Sequence, residues 1–168
     1  MNNNGIEIEH KYLIAFPDRE VLLAMPGADI AYIAQTYLKS EKGITERVRR
    51  WRQGDITRYY HTVKSRISGL SHHEDESEIG EEEYSLLLGR KRPGRSSIEK
   101  ERILIPFNNR TVEVDIYPFW SDRAIAEVEV MSEEEEVMLP DCINVIREVT
   151  DDVRYKNTSL AKKHDFEI

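Results

Sequence analysis

The chain has 168 residues, of which 24 are Lys or Arg and 32 are Asp or Glu, so its formal net charge is −8. This acidity argues against a general nucleic-acid-binding or anionic-membrane-binding protein, because such proteins depend on clustered positive charge. Cys142 is the single cysteine, which excludes an intramolecular disulfide and favours a reducing, cytoplasmic setting. The N-terminus lacks the basic-then-apolar order of a signal peptide. Pro26, Gly27 and Asp29 interrupt the longest weakly charged stretch, residues 22–38, so we expect no membrane span.

Most of the chain alternates between polar and apolar residues with a period of two, which predicts β-strands. Short turn segments at 42–44 and 53–55 join neighbouring strands and predict antiparallel hairpins. The predicted strands are residues 5–14, 29–39, 44–53, 56–66, 72–79, 97–105, 110–117 and 124–131.

Three segments predict helices. The first, residues 17–25, begins with a proline and ends before Pro26. The second, residues 80–88, carries three glutamates in its first turn, where they complement the helix dipole. The third begins near Pro140 and places Ile143, Ile146 and Val149 on one face. The chain is therefore expected to be α+β and mainly β.

Charged residues share one face of most predicted strands, and on several strands they have a single sign. These faces carry Glu7, Glu9 and Lys11; Arg47 and Arg49; Arg58 and Lys64; Lys100 and Arg102; Glu113 and Asp115; and Glu127 and Glu129. A half-exposed antiparallel sheet with its charged face in water is one explanation. A closed eight-stranded barrel with the charged face inside and helices packed outside is the other. Such a lumen suits a metal-bound polyanion, since carboxylates bind hard cations and Arg or Lys bind phosphate oxygens.

The order of these charged motifs resembles the CYTH domain, also called the triphosphate tunnel metalloenzyme family. The E-x-E-x-K signature stands at 7–11, and further matching strand motifs follow in the family's order. They are R-x-R at 47–49, T-x-K at 62–64, E-x-E at 74–76, K-x-R at 100–102, E-V-D at 113–115, A-E-x-E at 126–129, and the C-terminal run 149–161. The match covers about residues 5–163, and we treat the whole chain, 1–168, as one domain.

The resemblance implies an eight-stranded antiparallel barrel whose tunnel binds a triphosphate together with Mg²⁺ or Mn²⁺. It implies metal-dependent hydrolysis of a small-molecule triphosphate, with inorganic triphosphate as the leading substrate. Family members also include thiamine triphosphatases and class IV adenylate cyclases, so both activities stay open. A non-catalytic polyphosphate- or nucleotide-binding module is a further alternative. Trp51 and Trp120 fit a purine-stacking role as well as a core role. The family includes monomers and homodimers.

The resemblance also suggests roles for individual residues. Lys100 is predicted to protonate or stabilise the leaving oxygen, and Tyr37 to orient it. The predicted triphosphate ligands are Lys11, Arg47, Arg49, Lys64, Arg102 and Arg154, the last at one tunnel mouth. The predicted metal ligands are Glu7, Glu9, Glu127, Glu129, Glu76, Glu74 and Glu113. His72 and His73 are interpreted as a surface pair.

Overall fold

Nine antiparallel strands form the body of the protein in a computed structural model that describes residues 5–68 and 70–162. The two ends of the predicted 1–168 domain lie outside these residues. The strands are β1 (Ile6–Ala15), β2 (Asp29–Tyr37), β3 (Ile44–Gln53), β4 (Ile56–Arg66), β5 (Ser71–Ile79), β6 (Ile98–Phe107), β7 (Arg110–Ile116), β8 (Arg123–Glu129) and β9 (Val145–Glu148).

The first eight strands close into a barrel. Their order is β5-β4-β3-β2-β6-β7-β8-β1, and β1 pairs again with β5 through Ile6–His73 and Ile8–Ser71. The ninth strand adds to the second half of β1, where Tyr12 faces Glu148. The predicted eight-stranded antiparallel barrel is therefore confirmed, with one strand added to it.

Short helices connect or follow the strands along the chain. They are α1 (Arg19–Leu23), α2 (Glu81–Leu88) and α3 (Asn157–Leu160), with a 3₁₀ turn at Val153–Tyr155. The α1 helix begins at Asp18, whose carboxylate accepts hydrogen bonds from two backbone N–H groups. The α2 helix packs on β4 through Tyr84, whose ring centroid lies 4.8 Å from that of Tyr59. Among the described residues, no helix has the length and apolar character needed to cross a bilayer.

The predicted third helix is wrong. The segment forms a turn, in which Ile143 N donates to Pro140 O at 3.0 Å, and then strand β9. Ile143 and Val149 are buried as expected, but Ile146 is 56% exposed and lies on no common apolar face with them. The segment is rich in β-branched residues, which suit a strand, and the second half of β1 offers the backbone groups with which it pairs.

The apolar core lies outside the barrel wall. Ile103, Val112, Val114 and Val128 are fully or almost fully buried on the side of the strands opposite to the charged residues. Partly buried residues of the covering segments pack against them, among them Met25, Val137 and Leu139. The barrel is therefore covered on its apolar face and charged on its inner face, as the second of the two sequence explanations requires.

A second apolar cluster lies inside the barrel at one end. Leu13, Ile98 and Ile125 continue the inward-facing series of β1, β6 and β8, and all three are buried. The same cluster includes Trp120, which is 6% exposed, and Leu160 of α3. Trp120 is thus a core residue and has no free face for a purine.

Candidate active site in the barrel lumen

A cavity of about 1050 Å³ occupies the lumen, and every one of the eight barrel strands contributes to its wall. Side chains alternate along a strand, so residues at i, i+2 and i+4 point to the same face. The period-two pattern therefore brings all the charged faces together. Of the predicted site residues, the wall includes Tyr37, Lys11, Arg47, Arg49, Lys64, Arg102, Glu7, Glu9, Glu127, Glu129, Glu76, Glu74 and Glu113.

Four of the carboxylates form two close pairs. Glu7 and Glu74 share a hydrogen bond, and burial together with this bond raises the pKa of Glu74 to about 7. Burial opposes ionisation of Glu7, but Lys64, Glu74 and Arg47 outweigh it and lower its pKa to about 2. Glu9 and Glu127 form the second pair, in which burial and the charges of Glu127 and Glu7 hold the pKa of Glu9 well above its ordinary value.

Three of the cations are paired with these and neighbouring carboxylates. Lys64 Nζ lies 2.5 Å from Glu7 Oε1, and Lys11 Nζ lies 3.4 Å from Glu127 Oε1. The third pair joins Arg49 Nη2 to Glu76 Oε1 at 2.5 Å, and Thr62 donates to the same oxygen at 2.8 Å. These pairs hold opposite charges along the wall at partly buried positions.

Arg102 is fixed by a buried aspartate that the predicted site omits. Asp115 is fully buried and accepts from Arg102 Nε at 2.7 Å and from Nη2 at 2.8 Å. The guanidinium of Arg102 also forms ion pairs with Glu113 and, at 3.6 Å, with Glu127. Asp115 lies two residues after Glu113 on β7, so the same alternation placed it on the inner face.

Lys100 lies behind this network. Its side chain is 1% exposed and is not part of the cavity wall, and its ammonium donates to Asp115 Oδ2 at 2.7 Å. Burial lowers its pKa to about 8, against the opposing field of Asp115. Asp115 therefore holds the ammonium of Lys100 behind the cavity wall, and its contact with a leaving oxygen stays a prediction.

Arg47 differs from the other arginines because no carboxylate within residues 5–68 and 70–162 lies at ion-pair distance from it. Its Nε is buried and has no hydrogen-bond partner in that part of the chain. Burial disfavours its charge, but Tyr37, Glu74 and Glu7 keep the pKa of Arg47 above its ordinary value. Arg47 thus presents a permanent positive charge and unused donors to the lumen.

Tyr37 lies beside Arg47 on the neighbouring strand, where the two residues face each other in register. The side chain of Tyr37 is 4% exposed, and Gln35 Nε2 donates to its hydroxyl oxygen at 3.2 Å. The hydroxyl therefore lies next to the unpaired cation.

Arg154 does not reach the cavity. It is 72% exposed, and its Nη2 lies 2.7 Å from Asp152 Oδ2. Lys156, two residues later, lies in the cavity wall instead, together with Thr150 and Asn157. The C-terminal segment therefore reaches the cavity wall but Arg154 does not, because the 3₁₀ turn directs that side chain to Asp152.

The interpretation of His72 as a surface residue is wrong. It lies on β5, faces Glu7 across the strand pair, and forms part of the cavity wall.

Trp51 lines the cavity as well, with the guanidinium carbons of Arg49 and Arg102 each 5.8 Å from its ring centroid.

The donor set of the lumen fits a hard divalent cation. Its candidate ligands are carboxylate oxygens, and Glu74 Oε2 and Glu127 Oε1 are buried without a hydrogen-bond partner. Within the described residues, no three acidic, histidine or cysteine side chains already converge on one point as a finished metal site.

Comparisons with known proteins agree with this geometry. No family model matches the chain. An inorganic triphosphatase from Nitrosomonas europaea is 35% identical over 161 residues, which cover 92% of this chain and 96% of the relative. A crystal structure of an inorganic triphosphatase is 30% identical, covers 96% of this chain and 95% of its own, and has a TM-score of 0.56. A protein from Pyrococcus horikoshii is 25% identical over 76% of this chain and 80% of its own, with a TM-score of 0.57.

The identity and coverage of the Nitrosomonas relative are enough to establish kinship over nearly the whole chain. The closed barrel and the motif-bearing inner faces agree with it. The chain belongs to the CYTH, or triphosphate tunnel metalloenzyme, family, with an inorganic triphosphatase among its relatives.

Proposed function

We propose that this protein hydrolyses inorganic triphosphate with the help of Mg²⁺ or Mn²⁺ bound in the lumen. The observation that carries the proposal is the partly buried guanidinium of Arg47, which has no ion pair among the described residues and lies in a barrel lumen walled by further cations. Nearby carboxylates keep this guanidinium charged, but none of the described ones takes up its donors at ion-pair distance. These unused donors are best explained by an anion that binds there. The Nitrosomonas relative, named as an inorganic triphosphatase, supports a triphosphate as that anion.

The cations of the lumen supply charge neutralisation and positioning, which are the main requirements of phosphoryl transfer. Arg47 binds phosphate oxygens directly with donors that no side chain of the described wall occupies. Arg49 and Arg102 are held in place by Glu76 and Asp115, so they present a fixed orientation to the substrate. Lys11 and Lys64 exchange part of their carboxylate contacts for phosphate contacts.

Glu9, Glu127 and Glu129 are the residues we assign to the divalent cation, with Glu7 and Glu74 beside them. The raised pKa of Glu9 reflects burial and the crowding of carboxylates around it, a repulsion that a divalent cation would relieve. When bound, Mg²⁺ or Mn²⁺ neutralises phosphate charge and acidifies a water molecule. Tyr37 donates a hydrogen bond to an oxygen of the phosphate bound at Arg47, and Asp115 keeps Lys100 and Arg102 charged and oriented.

A substrate panel tests this proposal. We expect orthophosphate release from tripolyphosphate with Mg²⁺ or Mn²⁺, and much slower turnover of ATP and thiamine triphosphate. Cyclic AMP and pyrophosphate formed from ATP would identify an adenylate cyclase, and fastest turnover of thiamine triphosphate would identify a thiamine triphosphatase. Tight binding of tripolyphosphate without turnover of any of the three compounds would identify a binding module. Each of these three outcomes would replace the proposed activity.

A further inference from the structure

A second group of cations lines the cavity where β3 begins, outside the predicted phosphate ligands. They come from the loop before β3, the end of β4, the segment after α2 and the C-terminal segment. The group consists of Lys39, Lys42, Arg66, Arg92 and Lys156. Across the described ranges, 5–68 and 70–162, no carboxylate lies within ion-pair distance of any of the five. Carboxylates line the same cavity: Glu41 lies in the loop before β3, and Glu7 faces His72, which in turn faces Arg66. Such a concentration of positive charge is unexpected in a chain whose net charge is −8.

Arg66 and Lys156 form the part of this group nearest to the inner ligands. Burial lowers the pKa of Lys156, and the charges of Arg66, Lys11 and Lys64 lower it further, against the opposing charge of Asp151. Lys11 Nζ lies 3.5 Å from the carbonyl oxygen of Tyr155, directly before Lys156. Like charges brought together in this way destabilise the protein unless an anion binds between them.

Most of the inner cations, Arg47 excepted, behave differently. Lys11, Lys64 and Arg102 each have a carboxylate partner in the wall, whereas Arg66 and Lys156 have none among the described side chains. Arg66 Nε donates a hydrogen bond to the carbonyl oxygen of Ser68. The N–H groups of its two Nη atoms are therefore available to bind an oxyanion. Apart from Arg47, the cations of the cavity wall without a carboxylate partner among the described residues therefore include this group, next to the inner ligands Lys11 and Lys64.

We propose that Arg66 and Lys156 form an outer phosphate subsite, so that the tunnel binds linear polyphosphates of four or more phosphates more tightly than inorganic triphosphate. This inference rests on the proposed function, because it extends the phosphate track already assigned to Lys11 and Lys64. The wall beside Lys156 is polar, with Thr150, Asn157 and Thr158. A charged phosphate suits this environment better than a nucleoside does.

Calorimetric titration with tripolyphosphate and with tetrapolyphosphate, in the presence of a chelator, tests the subsite without hydrolysis. One additional charge-assisted phosphate contact is expected to make tetrapolyphosphate bind roughly tenfold more tightly. The double variant R66Q/K156Q is expected to bring the two affinities to within about twofold of each other. The matched control, R58Q/K91Q, removes the same charge from two exposed residues outside the cavity wall and is expected to keep the wild-type ratio.

Equal affinity of the wild type for the two anions would overturn the subsite. So would an unchanged preference in R66Q/K156Q, or an equal loss of preference in R58Q/K91Q, which would indicate only general electrostatic attraction. Phosphate release from tripolyphosphate with Mg²⁺ or Mn²⁺ is measured separately on the wild type. Its absence would contradict the proposed hydrolysis, and the metal-free affinity ratio would still decide for or against the subsite.

Discussion

The arginines of the lumen occupy two electrostatic situations, which predict effects of different size on stability. Arg47 is partly buried and lacks an ion pair among the described residues, whereas Arg102 is 7% exposed and joined to Asp115 by two hydrogen bonds. Removing one member of a buried pair leaves the other charge uncompensated, while removing an unpaired charge does not.

We therefore expect Arg102→Gln to lower the free energy of unfolding by about 3 kcal/mol, and Arg47→Gln, which breaks no ion pair, to lower it by clearly less. Both substitutions are expected to lower kcat/KM for tripolyphosphate by roughly 10²-fold. Urea titration of the metal-free proteins and initial-rate kinetics provide the two readouts. A large loss of stability in Arg47→Gln would contradict the description of Arg47 as an unpaired, substrate-directed cation.

The carboxylate pair of Glu74 and Glu7 predicts a pH dependence of stability without divalent cations. Burial and Glu7 raise the pKa of Glu74 from 4.5 to about 7, so between these values the folded protein holds a proton that the unfolded chain releases. The stabilisation from this proton is complete below pH 4.5 and is lost as the pH rises through 7. We expect Glu74→Gln, which cannot ionise, to lose less stability between pH 5 and pH 8, by on the order of 1–3 kcal/mol. The measurement is the unfolding free energy at both pH values in a chelating buffer. An equal fall in the wild type and in Glu74→Gln would contradict the assignment.

At the scale of elements, sequence periodicity located the barrel strands but not the segment after Pro140. From Val112 to Ile116, strand β7 alternates strictly because one face meets the covering segments and the other meets the lumen. The segment near Ile143 has apolar residues at helical spacing, but its backbone pairs with β1. No local pattern reveals a partner that is distant in sequence. The sequence also does not reveal that Lys156, and not Arg154, lines the cavity, because this depends on the 3₁₀ turn that directs Arg154 to Asp152.

The C-terminal α3 helix closes one end of the barrel, and this predicts where stability is sensitive to truncation of side chains. Leu160 is 5% exposed inside the apolar cluster with Leu13 and Tyr117, and Tyr117 Oη donates to Asn157 Oδ1 at 2.5 Å. We expect Leu160→Ala to lower the free energy of unfolding by about 2–4 kcal/mol. The control Leu86→Ala, at a helical position that is 79% exposed, is expected to change it by less than about 0.5 kcal/mol. Similar effects of the two substitutions in chemical unfolding would show that α3 does not seal the barrel.

For the whole molecule, the informative feature of the sequence is the distribution of charge rather than its total. A net charge of −8 by itself argues against binding of a polyanion, yet Arg47, Arg49 and Arg102 all line the closed lumen. The single-sign strand faces predicted this separation, because eight closed strands bring their inner faces together. The buried pairing of Lys100 with Asp115 could not be predicted, since two inward-facing residues on neighbouring strands are equally compatible with contact to each other or to a ligand.

At the level of the whole molecule, we expect this charged lumen to catalyse metal-dependent hydrolysis of tripolyphosphate. The most direct test is the rate of orthophosphate release from tripolyphosphate by the wild type and by Glu9→Gln, each with Mg²⁺, with Mn²⁺ and with a chelator. We expect release by the wild type only with a metal ion, and a loss of roughly 10²-fold or more in Glu9→Gln, although this variant still binds tripolyphosphate in the chelator. No release by the pure wild-type protein with either metal, or equal release with and without metal, would contradict the claim.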